Sequence, residues 1–478
     1  MSSESPQNSS AQTPAPAQSS GFLGDAWAAV KGTREDYTSG SLSRAITLLA
    51  IPMMLELVME STFGLVDIYF VGKLGSDAVA TVGLSASVLV ILFAIALGLS
   101  MGATALVARR IGEGDPEGAG RAAVQAILAG IFFSVPPALA GVAFAPQLLA
   151  WMGAEPEIAA GSSYLAMLLA GSITIFLIFL NNAIFRGAGD AAIAMRALWL
   201  ANIINMVLDP CLIFGWGPFP ELGLLGAAVA TTIGRGIGVV YQFGVLLGGK
   251  HRVAVTPDQL RLDLPVMKRL LRVSVSGIAQ FFVATASWLG IMRIIALFGS
   301  MTLAGYTIAL RLIMFSILIS WGLANAAATL VGQSLGAGKP ERAERAVWLA
   351  GFYNTIFLSS VTVVFWLFAE PFIAFFTQDA EVISIGVEAL RILSAGQIFA
   401  AYSMVTAAAF NGAGDTDTPT LINIFCYWLW QLPLAYTLAR VLDFGATGVY
   451  LAVALTGVTW TIIGITLFRR GRWKTRVV

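Results

Sequence analysis

Read from one end to the other, the chain alternates long apolar runs with short polar breaks, and the runs set its architecture. A helix that crosses a bilayer needs roughly 20 mostly apolar residues. Twelve runs meet that length: 44–71, 78–108, 120–145, 157–186, 192–216, 222–248, 267–298, 303–335, 343–369, 382–410, 416–440 and 445–468. Several exceed the minimum, so tilted or kinked spans are expected. The first 22 residues break the pattern. They are rich in Ser, Pro, Ala and Gln, lack Lys and Arg, and read as a disordered cytoplasmic tail rather than a secretory signal.

The polar breaks repeat. Thr104–Ala122 (TALVARRIGEGDPEGAGRA) aligns without a gap on Ala328–Ala346 (ATLVGQSLGAGKPERAERA), 224 residues further on, with nine of nineteen positions identical. The same offset pairs Gly75-Ser76 with Gly299-Ser300, and FRGAGD at 185–190 recurs as FNGAGD at 410–415. Locally these motifs are turn chemistry. Pro116 and Pro340 suit the first position of a helix, Gly187 and Gly412 a left-handed helix end, and Asp190 and Asp415 helix caps. Each half holds six spans, an even number, so both halves enter the membrane in the same direction. The fold class is therefore all-α integral membrane, twelve helices in two six-helix bundles related by a pseudo-two-fold along the membrane normal. The expected organisation is a disordered tail at 1–41, bundles at 42–248 and 267–468, a cytoplasmic linker at 249–266 and a basic tail at 469–478.

Composition sharpens the class. Apolar residues make up 57% and charged residues 12%, against roughly 25% charged in soluble domains, and mean hydropathy is +0.81. A net charge of +1 argues against nucleic acid as partner. Cys211 and Cys426 both lie in apolar runs, so no disulfide framework is implied, and His251 is the only histidine. Basic residues gather on one side. Arg109, Arg110, Arg121, Arg186, Arg196, Lys250, Arg252, Arg342, Arg345 and the C-terminal Arg469–Arg476 cluster fall on the side of the termini. Lys73, Arg293 and Arg440 fall on the other. That bias places both termini in the cytoplasm.

Acids inside the hydrocarbon are costly and point to function. The first span holds Glu56, Glu60 and Asp67, within about 40° of one face and along about 16 Å of helix. Pro52 precedes them and invites a kink. The fifth span stacks Asn205 under Asp209; the fourth offers Asn182 and the sixth Thr231 and Thr232. At the repeat offsets Glu56 meets Gln280, Glu60 Ala284, Asp67 Ile291, Asn182 Ala407, Asn205 Trp430 and Asp209 Leu434. The second half lacks every one of those carboxylates, so ion coupling is expected in the first half alone. A carboxylate there can take and release a proton, or, with Asn and Thr, hold Na⁺. Alternatively, Asp67 caps the outer end of its span, and Glu56 and Glu60 pair with Arg235, Arg311 or Arg391. Phe281, Phe282, Trp288, Met292, Met314 and Trp321 are candidates to line a cleft for a bulky cation.

Several stretches resemble the multidrug and toxic compound extrusion family. They are IPMMLELVMESTFGLVDIYFVGKLGSDAVATVGL at 51–84, NNAIFRGAGD at 181–190, INMVLDPCLIFG at 204–215 and FNGAGDT at 410–416. Val66, Asp67, Val71 and Gly72 match the family's first-span motif, and Asn205, Asp209 and Pro210 its fifth-span motif. The resemblance implies a drug or metabolite exporter driven by inward H⁺ or Na⁺. It puts Asp67 and Asp209 in the cation site with Asn182, Asn205 and Thr231 around them, and Pro52 at the bend of the first helix. Val283 follows Phe281-Phe282 where one branch carries Glu, which favours the DinF-like branch. Glu56 and Glu60 lie outside the family pattern and form an additional acidic face. The implied protein is a functional monomer of the plasma membrane, not an enzyme. It needs no cofactor beyond its coupling ion; its partners are a small organic substrate and the lipid bilayer. A flippase for lipids or lipid-linked oligosaccharides, built on the same two bundles, is the alternative; it would want a cationic cleft.

Overall fold

A computed structural model describes residues 21–153, 155, 161–249 and 251–476, and no strand occurs among them. Ten single helices are long and apolar enough to cross a membrane, and a bent pair makes an eleventh. In order these spans are Leu42–Gly72, Ser76–Gly112, Pro116–Trp151, the pair Ser162–Ala170 and Ser172–Ala188, Ala191–Phe214, Leu224–Leu247, Leu264–Ala296, Ser300–Gly336, Pro340–Leu367, Ala380–Gly412 and, as the twelfth, Gly445–Arg469. The eleventh position is filled by 417–441, a continuous helical run in which α turns alternate with π turns at Ile424–Gln431 and Thr437–Val441. The fourth span bends by 47° at Gly171. A Cβ there would press on Thr232 at 2.8 Å, so the glycine lets the sixth span come close.

Turn chemistry explains the starts and stops. Asp115 accepts from the Gly118 amide at 2.8 Å and Pro116 opens the third span. Two expectations need correction. Gly187 and Gly412 are not the left-handed ends: they are the penultimate and last residues of their helices, pressed on the Thr104 and Ala328 carbonyls, and Gly189 and Gly414 take the left-handed conformation instead. Asp190 and Asp415 make no side-chain cap bond. They face arginines, Arg252 at 3.8 Å and Arg476 at 2.9 Å.

The terminal segment is also corrected. Residues 1–20 lie outside the described residues, but 21–41 is not a disordered tail. Phe22–Lys31 is a helix, and 32–41 runs as a strap across the basic end. Arg252 stacks on Tyr37 at 4.7 Å and donates to the Glu35 carbonyl. From the second half, Arg342 donates to the carbonyls of Tyr37, Ser39 and Gly40, and Lys339 to that of Thr38. The linker folds back as well. Val253 and Val255 are buried in the first half's core, and Asp263 caps the seventh span, which begins at Leu264.

Each half has its own apolar core. A third core joins them at the basic end, where Ile46, Leu49 and Met53 of the first span pack with Ala327, Leu330 and Val331 of the eighth. The contacts across this seam repeat. Gly98 packs on Ile278, and one repeat later Gly322 packs on Met54; Gly112 packs on Gln333, and Gly336 on Arg109. Every contact between residue and partner has its mirror with the roles exchanged, which is the signature of a two-fold. All four lie toward the basic end, so the halves are clamped there.

Candidate functional site

Between the two halves, next to that clamp, lies a cavity of about 490 Å³. Among the described residues, Glu56, Glu60 and Arg186 are its only charged lining residues, all from the first half. The second half contributes Gln280, Phe281, Trp321, Asn411, Tyr427 and Trp460 among others, none charged. Phe281 and Trp321 meet edge to face at 5.8 Å. Of the other aromatic and Met candidates, Phe282, Trp288 and Met314 are exposed but are not among the cavity's lining residues, and Met292 packs against the second half's core.

Helical periodicity put the three first-span acids on one face, and the structure divides that face into two levels. At the lower level Glu56 is 4% exposed. Its Oε1 accepts from Asn182 Nδ2 at 2.9 Å and from Arg186 Nη1 at 2.7 Å, and its Oε2 is buried without a partner. Gln242 fixes Asn182 from behind by donating to its Oδ1 at 2.6 Å. One turn on, Glu60 accepts from Asn202 at 3.0 Å. Glu56 thus pairs with Arg186, a residue read from sequence as part of a turn, rather than with Arg235, Arg311 or Arg391.

At the upper level stand Asp67 and Asp209, close enough to act on each other electrostatically. Asp209 is buried with both carboxylate oxygens unpartnered; Asp67 Oδ1 and Asn205 Oδ1 are unpartnered too. Asn205 Nδ2 donates to Thr231 Oγ1 at 2.9 Å. Tyr164 and Arg235 complete the group: Arg235 acts on Asp67, Tyr164 senses both acids, and Arg235 lies over the Phe93 ring at 6.0 Å. Buried oxygens without donors are the donor set a proton or a hard cation requires. Asn182, grouped with these residues by resemblance, sits instead on Glu56. Pro52 lies inside a first span that runs through it as one helix. Among the described residues no cluster of three or more His, Cys, Asp or Glu could hold a metal ion. Asn202, Gln242 and Tyr164 were not singled out from sequence, because an uncharged polar residue within a span is less conspicuous there than a carboxylate.

Two six-helix bundles about a charged internal cavity define a polytopic carrier. The MatE family model matches residues 52–211 and 276–437, two stretches that begin one repeat apart. The chain belongs to that family, the multidrug and toxic compound extrusion transporters, whose members move small organic molecules across membranes. A probable multidrug resistance protein NorM of Thermotoga maritima is 28% identical over 447 residues, 91% of this chain and 94% of the relative. An FAD transporter of Shewanella oneidensis is 26% identical over 428 residues, 88% and 93% of the two chains. A multidrug MATE transporter solved in an outward-facing conformation superposes with a TM-score of 0.85 at 28% identity, over 91% of this chain and 97% of the other. A MOP-superfamily transporter of Pyrococcus furiosus, with a binding pocket of reversed polarity, gives 0.85 at 27%, over 92% and 98%.

Proposed function

We propose that this chain is a secondary active efflux transporter of the plasma membrane, of the DinF-like branch. It exchanges a bulky organic cation for inward H⁺ or Na⁺ by alternating access, with both termini in the cytoplasm. The observation that carries this reading is the cavity's one-sided charge: two carboxylates against one guanidinium on the first half's wall, none on the second's, and aromatic rings on both. Such a site suits an aromatic cation, held by charge and by ring faces. The unpartnered oxygens of Asp67 and Asp209 supply the coupling site. With the basic end cytoplasmic, the clamp closes the cavity to the inside, which supports reading this conformation as outward-facing. A flippase would want an excess of cationic side chains for phosphate, and the cavity's single guanidinium is already matched by Glu56.

The test is reconstitution in liposomes and efflux of ethidium, a fluorescent aromatic cation, driven by a pH gradient alone and then by a Na⁺ gradient alone. Gradient-driven efflux that is lost in Asp67→Asn and Asp209→Asn is expected. Transport indifferent to both gradients and both substitutions would overturn the reading in favour of lipid translocation. Efflux of FAD but not ethidium would overturn the cationic cargo.

A further inference from the structure

We infer that Arg186 is a resident counter-ion that the cargo must displace: the cationic end of the cargo takes the Glu56 carboxylate from Arg186, and that exchange loosens the seam beneath the cavity. The inference rests on the cavity being the cargo site.

Glu56 is built to receive a cation. Glu56 lines the cavity; one of its oxygens already takes both resident donors, while the other is buried and unpartnered. Asn182, locked by Gln242, fixes the carboxylate in place. Arg186 is the replaceable partner. Its side chain is 14% exposed and reaches the carboxylate through one contact at 2.7 Å, although a guanidinium can bind a carboxylate through two. A buried charge tolerates no vacancy, because losing its partner leaves it uncompensated in a medium of low dielectric. An incoming cation can therefore release Arg186, whereas a neutral or anionic molecule cannot.

The main chain of Arg186 links this exchange to the clamp. Its carbonyl accepts from Thr329 Oγ1 at 3.0 Å, and the next carbonyl, of Gly187, accepts from Gln333 Nε2 at 2.9 Å. Both donors belong to the eighth span, in the other half. Gln333 is also the residue on which Gly112 packs. The end of the fourth span thus holds the cavity acid with its side chain and the opposite half with its backbone.

The repeat supplies an internal control. The positions equivalent to Glu56 and Arg186 are Gln280 and Asn411, which also line the cavity. Each keeps a buried side-chain oxygen without a partner. The same two slots exist in both halves, and only one pair is charged. That asymmetry suits a cation recognised at one wall and does not suit a scaffold needed by both.

The experiment measures ethidium binding by fluorescence anisotropy to the full chain in nanodiscs, for wild type, Arg186→Gln, Glu56→Gln and the double variant. Removing the competitor is expected to tighten binding about tenfold in Arg186→Gln, and removing the carboxylate to weaken it about tenfold in Glu56→Gln. Arg186→Gln is expected to have a smaller effect once Glu56 is Gln, where only the repulsion of an unpaired guanidinium is relieved, and a neutral aromatic probe to bind all four alike. Unchanged or weaker binding in Arg186→Gln, or an equal effect in both backgrounds, would overturn the inference, since a merely structural arginine gives that result. If Arg186→Gln fails to fold, Arg186→Lys replaces it: the lone ammonium competes less well, binding tightens by a smaller factor, and wild-type affinity overturns the inference. Wild-type ethidium efflux in liposomes separates the two failures. Its loss removes the proposed function, whereas its presence with unaltered Arg186 variants removes this inference alone.

Discussion

Gly112 lies against the main chain of Gln333 so closely that a Cβ built on it would stand 2.0 Å from the Gln333 carbonyl oxygen. Gly336, its repeat partner, stands in the same relation to Arg109, the repeat partner of Gln333, at 2.2 Å. The clamp therefore tolerates no side chain at either glycine. Gly112→Ala should cost the clamped state about 1–3 kcal/mol, a shift of roughly 5- to 150-fold toward states open at the basic end. Spin–spin distances across that end should lengthen, and Gly336→Ala should do the same. Gly114→Ala is the control: its φ of +72° is strained for Ala, but nothing stands near its Cβ. It should lower the melting temperature without lengthening the distance.

Gly112 and its partner also show what a sequence can disclose. Apolar runs and polar motifs in register carry the spans, the two halves and their relation, because each is a periodic or repeated signal. The bend at Gly171, the π turns of the eleventh span and the ordered helix Phe22–Lys31 are set by packing against neighbours, so no local pattern announces them. The acids were legible because charge in an apolar run is conspicuous. Their partners were not. Arg186 belongs to a turn motif at a helix end, and its long side chain reaches back along the span to Glu56. Periodicity placed Glu56 and Asp67 on one face, and only the neighbouring helices separate them into two levels.

The strap at 32–41 bridges the halves through Arg342, which donates to three of its carbonyls at 3.0, 2.6 and 2.9 Å. Arg342→Ala should loosen it by about 1–3 kcal/mol, and limited proteolysis should then cut between residues 32 and 41 several-fold faster. Asp36 adds a pH dependence. Burial alone would push its carboxyl up, but hydrogen bonds from Thr38 and Ser39 and the charge of Lys339 outweigh that and hold it below 3.8. A folded-state value below the unfolded one contributes stability above pH 3.8 and loses it as pH falls through the lower value. The strap should thus be held at neutral pH and cut faster by pepsin in strong acid. Asp36→Asn should remove that dependence.

Asn205 and Thr231 tie the fifth span to the sixth beside the unpartnered oxygens of Asp209. Thr231→Val keeps the shape and deletes the acceptor, leaving the Asn205 amide buried without a partner. The expected cost is about 1–3 kcal/mol, read as a lower melting temperature. Because the bond orients Asn205 beside Asp209 in the proposed coupling site, gradient-driven efflux should fall more than ethidium binding does. Equal losses in both would mark the pair as structural only.

Pro52 stands inside a first span that runs from Leu42 to Gly72 without a break. A proline within a helix removes one backbone hydrogen bond and crowds the preceding turn, at about 3 kcal/mol. The unbroken span therefore keeps a strained point four residues before Glu56. Pro52→Ala should relieve it, raising the melting temperature by the equivalent of about 1–3 kcal/mol. The same change deepens the continuous helix relative to any more bent state, so turnover should fall while ethidium affinity stays within about twofold of wild type. Faster turnover together with higher stability would show that the first span does not bend at Pro52 during transport, and the coupling of the acids to a change of helix shape would fail with it.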